Sequence, residues 1–237
     1  KIKGIILAGG HGSRLYPLTL GISKQLIPVY DKPMIYYPLS VLMEAGIRHI
    51  MIITTSKDIN NYRGLLGDGS HLGIKLSYKI QHKPEGIAQA FIIAEKFIGR
   101  NNVCLILGDN IFYGKKLKKI LNNCVNNLSN NFSTIISVKV DNSSNYGVVQ
   151  YLENIAVKII EKPKSFVSNF AVSGLYFYTN DVIKISKRLT PSSRGELEIT
   201  DLNNIYLKEN NLKIMKIDNE LVWLDTGTYD SLILASN

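Results

Sequence analysis

The strongest constraint on this chain is the alternation of short apolar runs with stretches of helical spacing over its first 107 residues. Residues 5–7, 49–54, 76–80 and 103–107 read as strands. Most of these are nearly all apolar, so they must be covered on both sides, which calls for a parallel sheet with helices above and below. Residues 33–45 read as a helix, with proline in its first turn and Gly46 where it would stop. Residues 58–66 and 87–98 are also helical. Within the latter, Ile87, Ala90, Phe91, Ala94 and Phe97 recur at helical spacing and belong to the core. Beyond residue 134 the pattern changes: strands are expected at 135–138, 148–151, 156–160, 172–178 and 221–224, and helices at 181–189 and 197–207. The expected fold is therefore α/β, with a mixed, mostly parallel central sheet flanked by helices and extended by antiparallel strands. No linker or repeat divides the chain, so residues 1–237 form one domain with a seam near residue 130.

Several classes are set aside by composition. No segment approaches the ~18 uninterrupted apolar residues of a membrane span. The opening Lys1-Ile2-Lys3 and the apolar run after it resemble a signal peptide, but the run is too short and enters a glycine loop, so a first strand is the better reading. Cys104 and Cys124 form neither a disulfide framework nor a metal cluster. As buried thiols they suit a reducing cytoplasm. The formal charge of +9 attracts anions: nucleic acid, an acidic membrane or a small phosphorylated ligand. The densest run, Lys115-Lys116-Leu117-Lys118-Lys119, has helical spacing and no interleaved aromatics, so it reads as a solvated helix face. Other cations sit singly near glycine turns, which favours the small ligand over nucleic acid or membrane.

The first such turn is Leu7-Ala8-Gly9-Gly10-His11-Gly12-Ser13-Arg14-Leu15. Glycines directly after a strand let backbone N–H groups approach a phosphate chain. Two familiar glycine fingerprints fail. The dinucleotide pattern lacks its third glycine, because Leu15 stands there, and no Gly-Lys-Ser/Thr follows for a P-loop. Arg14 and, in Ser23-Lys24-Gln25, Lys24 supply cations that could clamp a triphosphate. Singly, each reads equally as a surface charge.

Two aspartates end strand-like runs: Asp109 in Gly108-Asp109-Asn110 and Asp225 in Trp223-Leu224-Asp225-Thr226-Gly227. Ligands of parallel α/β sheets bind beyond the carboxyl ends of strands. One or two carboxylates plus substrate phosphates suffice for Mg²⁺. The alternative is that Asp109 caps a turn and Asp225 a helix.

Together with these motifs, the sequence resembles the glucose-1-phosphate thymidylyltransferases, members of the sugar nucleotidyltransferases. The likeness runs through Tyr30-Asp31-Lys32-Pro33-Met34, Gly86-Ile87-Ala88-Gln89-Ala90, Asn110-Ile111-Phe112-Tyr113-Gly114, Tyr146-Gly147-Val148-Val149, Glu161-Lys162-Pro163 and Arg194-Gly195-Glu196-Leu197-Glu198-Ile199-Thr200-Asp201. The resemblance implies a Rossmann-like nucleotide-binding fold with a nucleotide half at about 1–130 and a sugar half at about 131–237. It implies dTTP and glucose 1-phosphate as substrates, Mg²⁺ as cofactor and a cytoplasmic homo-oligomer. Asp109 and Asp225 would hold the metal. Arg14 and Lys24 would contact the triphosphate together with Gly9, Gly10 and Gly12, and Leu7, Ser13 and Gln25 would join that site. Gln81 and Gly86 would read the thymine. Tyr146, Gly147, Glu161 and Val172 would hold the glucose, with Lys162 and Arg194 on its 1-phosphate. Arg14, Lys24, Asp109, Lys162 and Asp225 would form the catalytic set.

The residues' own chemistry is compatible with these roles. A glutamine amide matches the imide edge of thymine, and an ionised Glu161 accepts bonds from sugar hydroxyls or pairs with Lys162. Gly147 beside Tyr146 allows close approach beneath a ring. Trp223 and Asp225 share a face if their run is a strand. Arg194, in a turn, reaches either a phosphate or water. Glu196, Glu198 and Asp201 are expected to begin a helix and complement its dipole, without a catalytic role. Ser13 stands where the family usually has threonine, and His11 takes no part in proton transfer. Family members usually continue past the segment matching 231–237 with further helices, which contribute subunit contacts and a second nucleotide-sugar site.

Overall fold

The computed structural model describes residues 1–10 and 12–236; the expectation for His11 lies outside the described residues. In chain order the strands are β1 (Ile2–Ala8), β2 (Pro28–Val29), β3 (Lys32–Pro33), β4 (His49–Thr54), β5 (Lys75–Ile80), β6 (Asn102–Leu107), β7 (Asn110–Tyr113), β8 (Ser133–Lys139), β9 (Gly147–Leu152), β10 (Ile155–Glu161), β11 (Phe170–Tyr178), β12 (Leu212–Ile217) and β13 (Val222–Asp225). The helices are α1 (Leu18–Gly21), α2 (Tyr36–Glu44), α3 (Ile59–Leu66), α4 (Gln89–Ile93), α5 (Glu95–Ile98), α6 (Leu117–Ser129), α7 (Val182–Ser186), α8 (Ile199–Lys208) and α9 (Tyr229–Ser236).

The central sheet runs β10-β9-β11-β6-β1-β4-β5, and β8 pairs with both β11 and β12. Strands β6, β1, β4 and β5 are parallel, as their apolar runs require, while β11 lies antiparallel to β6 and begins the extension. Successive residues of a strand point to opposite faces, so the sheet feeds two cores. Ile6, Ile50, Ile52, Cys104 and Ile106 pack with α2, α3 and α6 on one side. Ile5, Met51, Ile53, Val103 and Leu105 pack with α4, α5, α7 and α8 on the other. Both thiols are buried, and burial pushes Cys124 up to about 12.

Several boundaries differ from the sequence reading, each because a backbone group is committed elsewhere. The helix expected at 33–45 begins at Tyr36, since Met34 and Ile35 donate their N–H groups to Ile27 and Gln25, and Pro33 lies in β3. The helix expected at 87–98 starts at Gln89 because the Ala88 N–H goes to Leu197, and Ala94 (φ −89°, ψ 4°) then separates α4 from α5. The next helix starts at Ile199, because Leu197 donates to Glu85. The helix expected at 181–189 shortens to Val182–Ser186, after which Arg188 and Leu189 bond three residues back. Four strands, β2, β3, β7 and β12, lie outside the expected set.

The carboxyl ends of β1, β4 and β6 are level: Leu7 pairs with Leu107 and Ala8 with Thr54. The loops after these strands therefore open on one edge of the sheet. Gly108 turns β6 into β7, which leaves the main sheet to pair with β13 and sets Asn110 opposite Asp225.

Candidate active site

At the end of β1 the chain folds into a tight loop, with Gly10 at φ 102° and Gly12 at φ 59°. Such angles favour glycine, so the loop could not be built from most other residues. Thr19 Oγ1 donates to the Gly12 carbonyl at 2.8 Å and closes the loop from below. Gly9, Gly10, Gly12, Ser13, Arg14, Lys24, Gln25 and Gly227 share one concave surface. Leu7, the strand residue beneath, lies in the sheet and packs against the second core. Gln25 is buried, and its Oε1 accepts from Ser23 Oγ at 2.8 Å and from Tyr62 OH at 3.2 Å.

Both loop cations meet the aspartates. Lys24 Nζ forms an ion pair with Asp109 Oδ2. Arg14 lies against Gly227: a Cβ there would stand 2.9 Å from Arg14 Nη2 and 3.2 Å from Asp225 Oδ1. Asp109 and Asp225, far apart in sequence, are joined through β7 and β13. Thr226 completes the junction by donating its N–H at 3.1 Å and its hydroxyl at 2.7 Å to the Asp109 carbonyl. Burial tends to raise the Asp109 carboxyl, but the Lys24 ammonium and the Asn110 amide outweigh it and hold the group below the usual range. Asp225 goes the other way. Burial and then the Asp109 charge push it up to about 6, only partly offset by Lys24 and Arg14. Two partly desolvated carboxylates that repel each other are a fitting seat for a hard divalent cation, which prefers oxygen ligands.

Asn110, part of the Gly108-Asp109-Asn110 motif, has a structural task that its local sequence does not reveal. Its side chain is buried and bonded at both ends of the amide. Nδ2 donates to Asp109 Oδ1 at 3.0 Å, while Oδ1 accepts from Gly174 N at 3.0 Å and Trp223 Nε1 at 2.6 Å. Gly174 sits where the pairing of β11 with β8 shifts register between Val172 and Tyr176. Asn110 thus ties the acidic pair to the wall of a second cavity.

That cavity is lined by Arg14, Asp109, Tyr146, Gly147, Glu161, Lys162, Val172, Arg194, Thr200, Trp223 and Asp225, among others. Every residue expected on the sugar side is brought together here. Trp223 and Asp225 do share a face, and the Tyr146 ring lies 5.0 Å from that of Trp223. Glu161 is not paired with Lys162 among the described residues. It accepts from Thr200 Oγ1 at 2.5 Å and lies 3.5 Å from Arg194 Nη2. Lys162 follows the end of β10 at φ 41°, and its N–H donates to the Tyr146 carbonyl at 2.9 Å. Left-handed backbone outside glycine is uncommon and clusters at functional sites.

One expectation needs revision in this region. Arg194 lines the cavity and is held at 2.8 Å by Glu198, with Glu196 and Glu161 behind. Glu196 and Glu198 do not lie within the helix: Glu198 is the residue that precedes α8, and its carboxylate serves the arginine rather than the dipole.

On the far side of the glycine loop, Gln81 lines a third concavity with Gly10, Lys24, Thr55 and Asp58. Its Nε2 donates to Gln89 Oε1 at 2.6 Å, and Oε1 faces Gly9. Gly86 does not line that concavity. At φ 100° it packs against the Leu197 backbone and fixes the segment before α4. No helix is long and apolar enough to cross a membrane among the described residues.

The geometry thus offers a cationic glycine cradle, an acidic pair and a polar cavity on one continuous edge. Comparison with known proteins agrees. The chain is 54% identical over 232 residues to a glucose-1-phosphate thymidylyltransferase of Neisseria meningitidis, covering 98% of this chain and 80% of the relative. It is 52% identical to one of Mycobacterium tuberculosis, covering 100% and 81%. A Bacillus anthracis protein assigned the same activity and crystallised with sucrose superposes with a TM-score of 0.90 at 40% identity, over 100% of this chain and 94% of that one. A UDP-glucose pyrophosphorylase bound to UDP-glucose gives 0.83 at 27% identity, covering 99% and 97%. With the nucleotidyl transferase model matching residues 3–237, the chain belongs to the nucleotidyl transferase family.

Proposed function

We propose that the protein transfers a thymidylyl group from dTTP to α-D-glucose 1-phosphate, giving dTDP-glucose and pyrophosphate. The observation that carries this reading is the meeting of Arg14, Lys24, Asp109 and Asp225 between two concave surfaces. One is lined by Gln81 and the glycine loop, the other by Tyr146, Glu161 and Trp223. The surface near Gln81 comes from residues before 130, and most of the sugar cavity from residues after it, which supports a nucleotide half at 1–130 and a sugar half at 131–237.

In this reading the glycine loop and Arg14 receive the triphosphate, with Lys24 beside its α-phosphate. Gln81 offers a donor and an acceptor to the base. Glu161 and the Gly147 backbone hold sugar hydroxyls, while Lys162 and Arg194 hold the sugar phosphate. A phosphate oxygen attacks the α-phosphorus in line and pyrophosphate leaves opposite. The nucleophile is already anionic near neutral pH, so the site needs no general base. Its work is positioning and charge neutralisation. Mg²⁺ held by Asp109 and Asp225 would offset the charge on the phosphates when bound.

Two relatives above half identity favour thymidylyl transfer; the likeness to a UDP-glucose pyrophosphorylase makes UTP the nearest competitor. Pyrophosphate release measured for dTTP and UTP, each with glucose 1-phosphate and an amino-sugar phosphate, separates them. Highest kcat/KM for dTTP with glucose 1-phosphate is expected, and preference for any other pair overturns the assignment. A homo-oligomer belongs to the same proposal, supported by exposed Ile233 and Leu234 on α9, with light scattering as its test. A cytoplasmic setting is supported by the two free thiols.

A further inference from the structure

We infer that Glu198 is the positioning residue of the sugar-phosphate subsite, fixing the Arg194 guanidinium and keeping it off Glu161. This rests on the reading that Arg194 faces the phosphate of the sugar substrate.

Arg194 sits in an exposed turn, where a long side chain would sample many rotamers. It is nevertheless fixed by one edge. Nε donates to Glu198 Oε1 at 3.2 Å, and Nη2 donates to Oε1 at 3.0 Å and Oε2 at 2.8 Å. Bidentate pairing of this kind sets the plane of a guanidinium as well as its position. Among the described residues, Nη1 makes no hydrogen bond, and Arg194 lines the cavity that also holds Lys162 and Asp109, which leaves this nitrogen available to a ligand there.

Glu198 is suited to the task because it is anchored to α8 rather than to the turn alone. Its side chain is 9% exposed, and its carbonyl accepts the Leu202 N–H in the first turn of α8. Ser192 Oγ donates to its Oε1 at 2.6 Å and accepts the Arg194 N–H at 3.2 Å, so backbone and guanidinium converge on one carboxylate. Gly195, at φ 75°, makes the bend that allows this.

The neighbours show what Glu198 prevents. Glu161 Oε1 and Glu196 Oε2 lie 3.5 and 3.4 Å from Arg194 Nη2, each a single looser contact. Without the bidentate partner, the cation would be shared between Glu196 and Glu161, the second of which already binds Thr200 Oγ1. The phosphate would then lose its arginine, and the sugar would lose the carboxylate.

The test is steady-state kinetics of Glu198→Gln, Glu198→Asp, Arg194→Ala and the Arg194→Ala/Glu198→Gln double variant. Glutamine keeps the size but offers one acceptor and a clashing donor. Glu198→Gln should raise KM for glucose 1-phosphate about tenfold, the scale of one charge-assisted bond, with KM for dTTP within about twofold of wild type. Glu198→Asp should recover part of the loss, and the double variant should be no worse than Arg194→Ala alone. Equal rises in both KM values, or additive losses in the double variant, would mean a merely structural role and overturn the proposal. If Arg194→Ala leaves KM for glucose 1-phosphate unchanged, the reading of the subsite fails. If Arg194→Ala raises it and Glu198→Gln does not, only the positioning role fails.

Discussion

Replacing Asp225 by asparagine should stabilise the metal-free protein while abolishing most of its turnover. The carboxyl is pushed up to about 6, first by burial and second by the Asp109 charge, from an unperturbed value of 3.8. Between those two values the folded state binds more protons than the unfolded state. Stability therefore falls as pH rises through that window, and the full penalty persists above it. A shift of this size corresponds to about 3 kcal/mol at neutral pH. At roughly 2–4 °C per kcal/mol for a domain this large, Asp225→Asn should melt about 6–12 °C higher. The assay is thermal unfolding by circular dichroism in a chelator at pH 7.5 and pH 4.5. At the lower pH the wild-type carboxyl is largely protonated, and the gap should shrink to about a third. Saturating Mg²⁺ at pH 7.5 should narrow it by raising only the wild type. Equal melting temperatures at pH 7.5, or a gap indifferent to pH, would refute the charge-repulsion argument.

Asp109→Asn should lower the rate of pyrophosphate release about a thousandfold or more, because it removes the carboxylate shared by Lys24 and the metal seat. Gly227→Ala would put a methyl group 2.9 Å from Arg14 Nη2; displacing that guanidinium should raise KM for dTTP about tenfold and KM for glucose 1-phosphate much less. Gly86→Ala combines a left-handed backbone at φ 100° with collision against the Leu197 backbone, and should cost about 3 kcal/mol or more in urea unfolding. Thr226→Val removes the hydroxyl that holds the Asp109 carbonyl at 2.7 Å, and should cost about 1–2 kcal/mol while slowing turnover.

What the sequence made legible is what local pattern controls. Apolar or alternating runs located β4, β5 and β6 to within a residue and β1 to within three, and the glycine loop was placed because its chemistry is contiguous. The strands outside the expected set had no such pattern: β2 and β3 are two residues each, β12 interleaves lysines with apolar residues, and β7 follows β6 across only two residues. The functional edge likewise exposed its single residues but not their couplings. Asp109 and Asp225 could be named as strand-end acids, yet only the pairing of β7 with β13 makes them repel. Asn110 looked like one letter of a motif, because nothing local reveals that its amide reaches Asp109, Gly174 and Trp223 together.

The same reasoning explains why Glu198 was misread. An acidic residue before a helix ordinarily complements the helix dipole, and at four residues from Arg194 it could equally have been a weak surface pair. Two features raise it above both readings. The carboxylate is nearly buried, so screening by water is small, and Ser192 spends its hydroxyl on the same oxygen that receives Arg194 Nε. A desolvated, bidentate pair holds its geometry where an exposed one would not. Position along the chain indicated which charges were present; burial determined which of them could hold a substrate-facing cation in place.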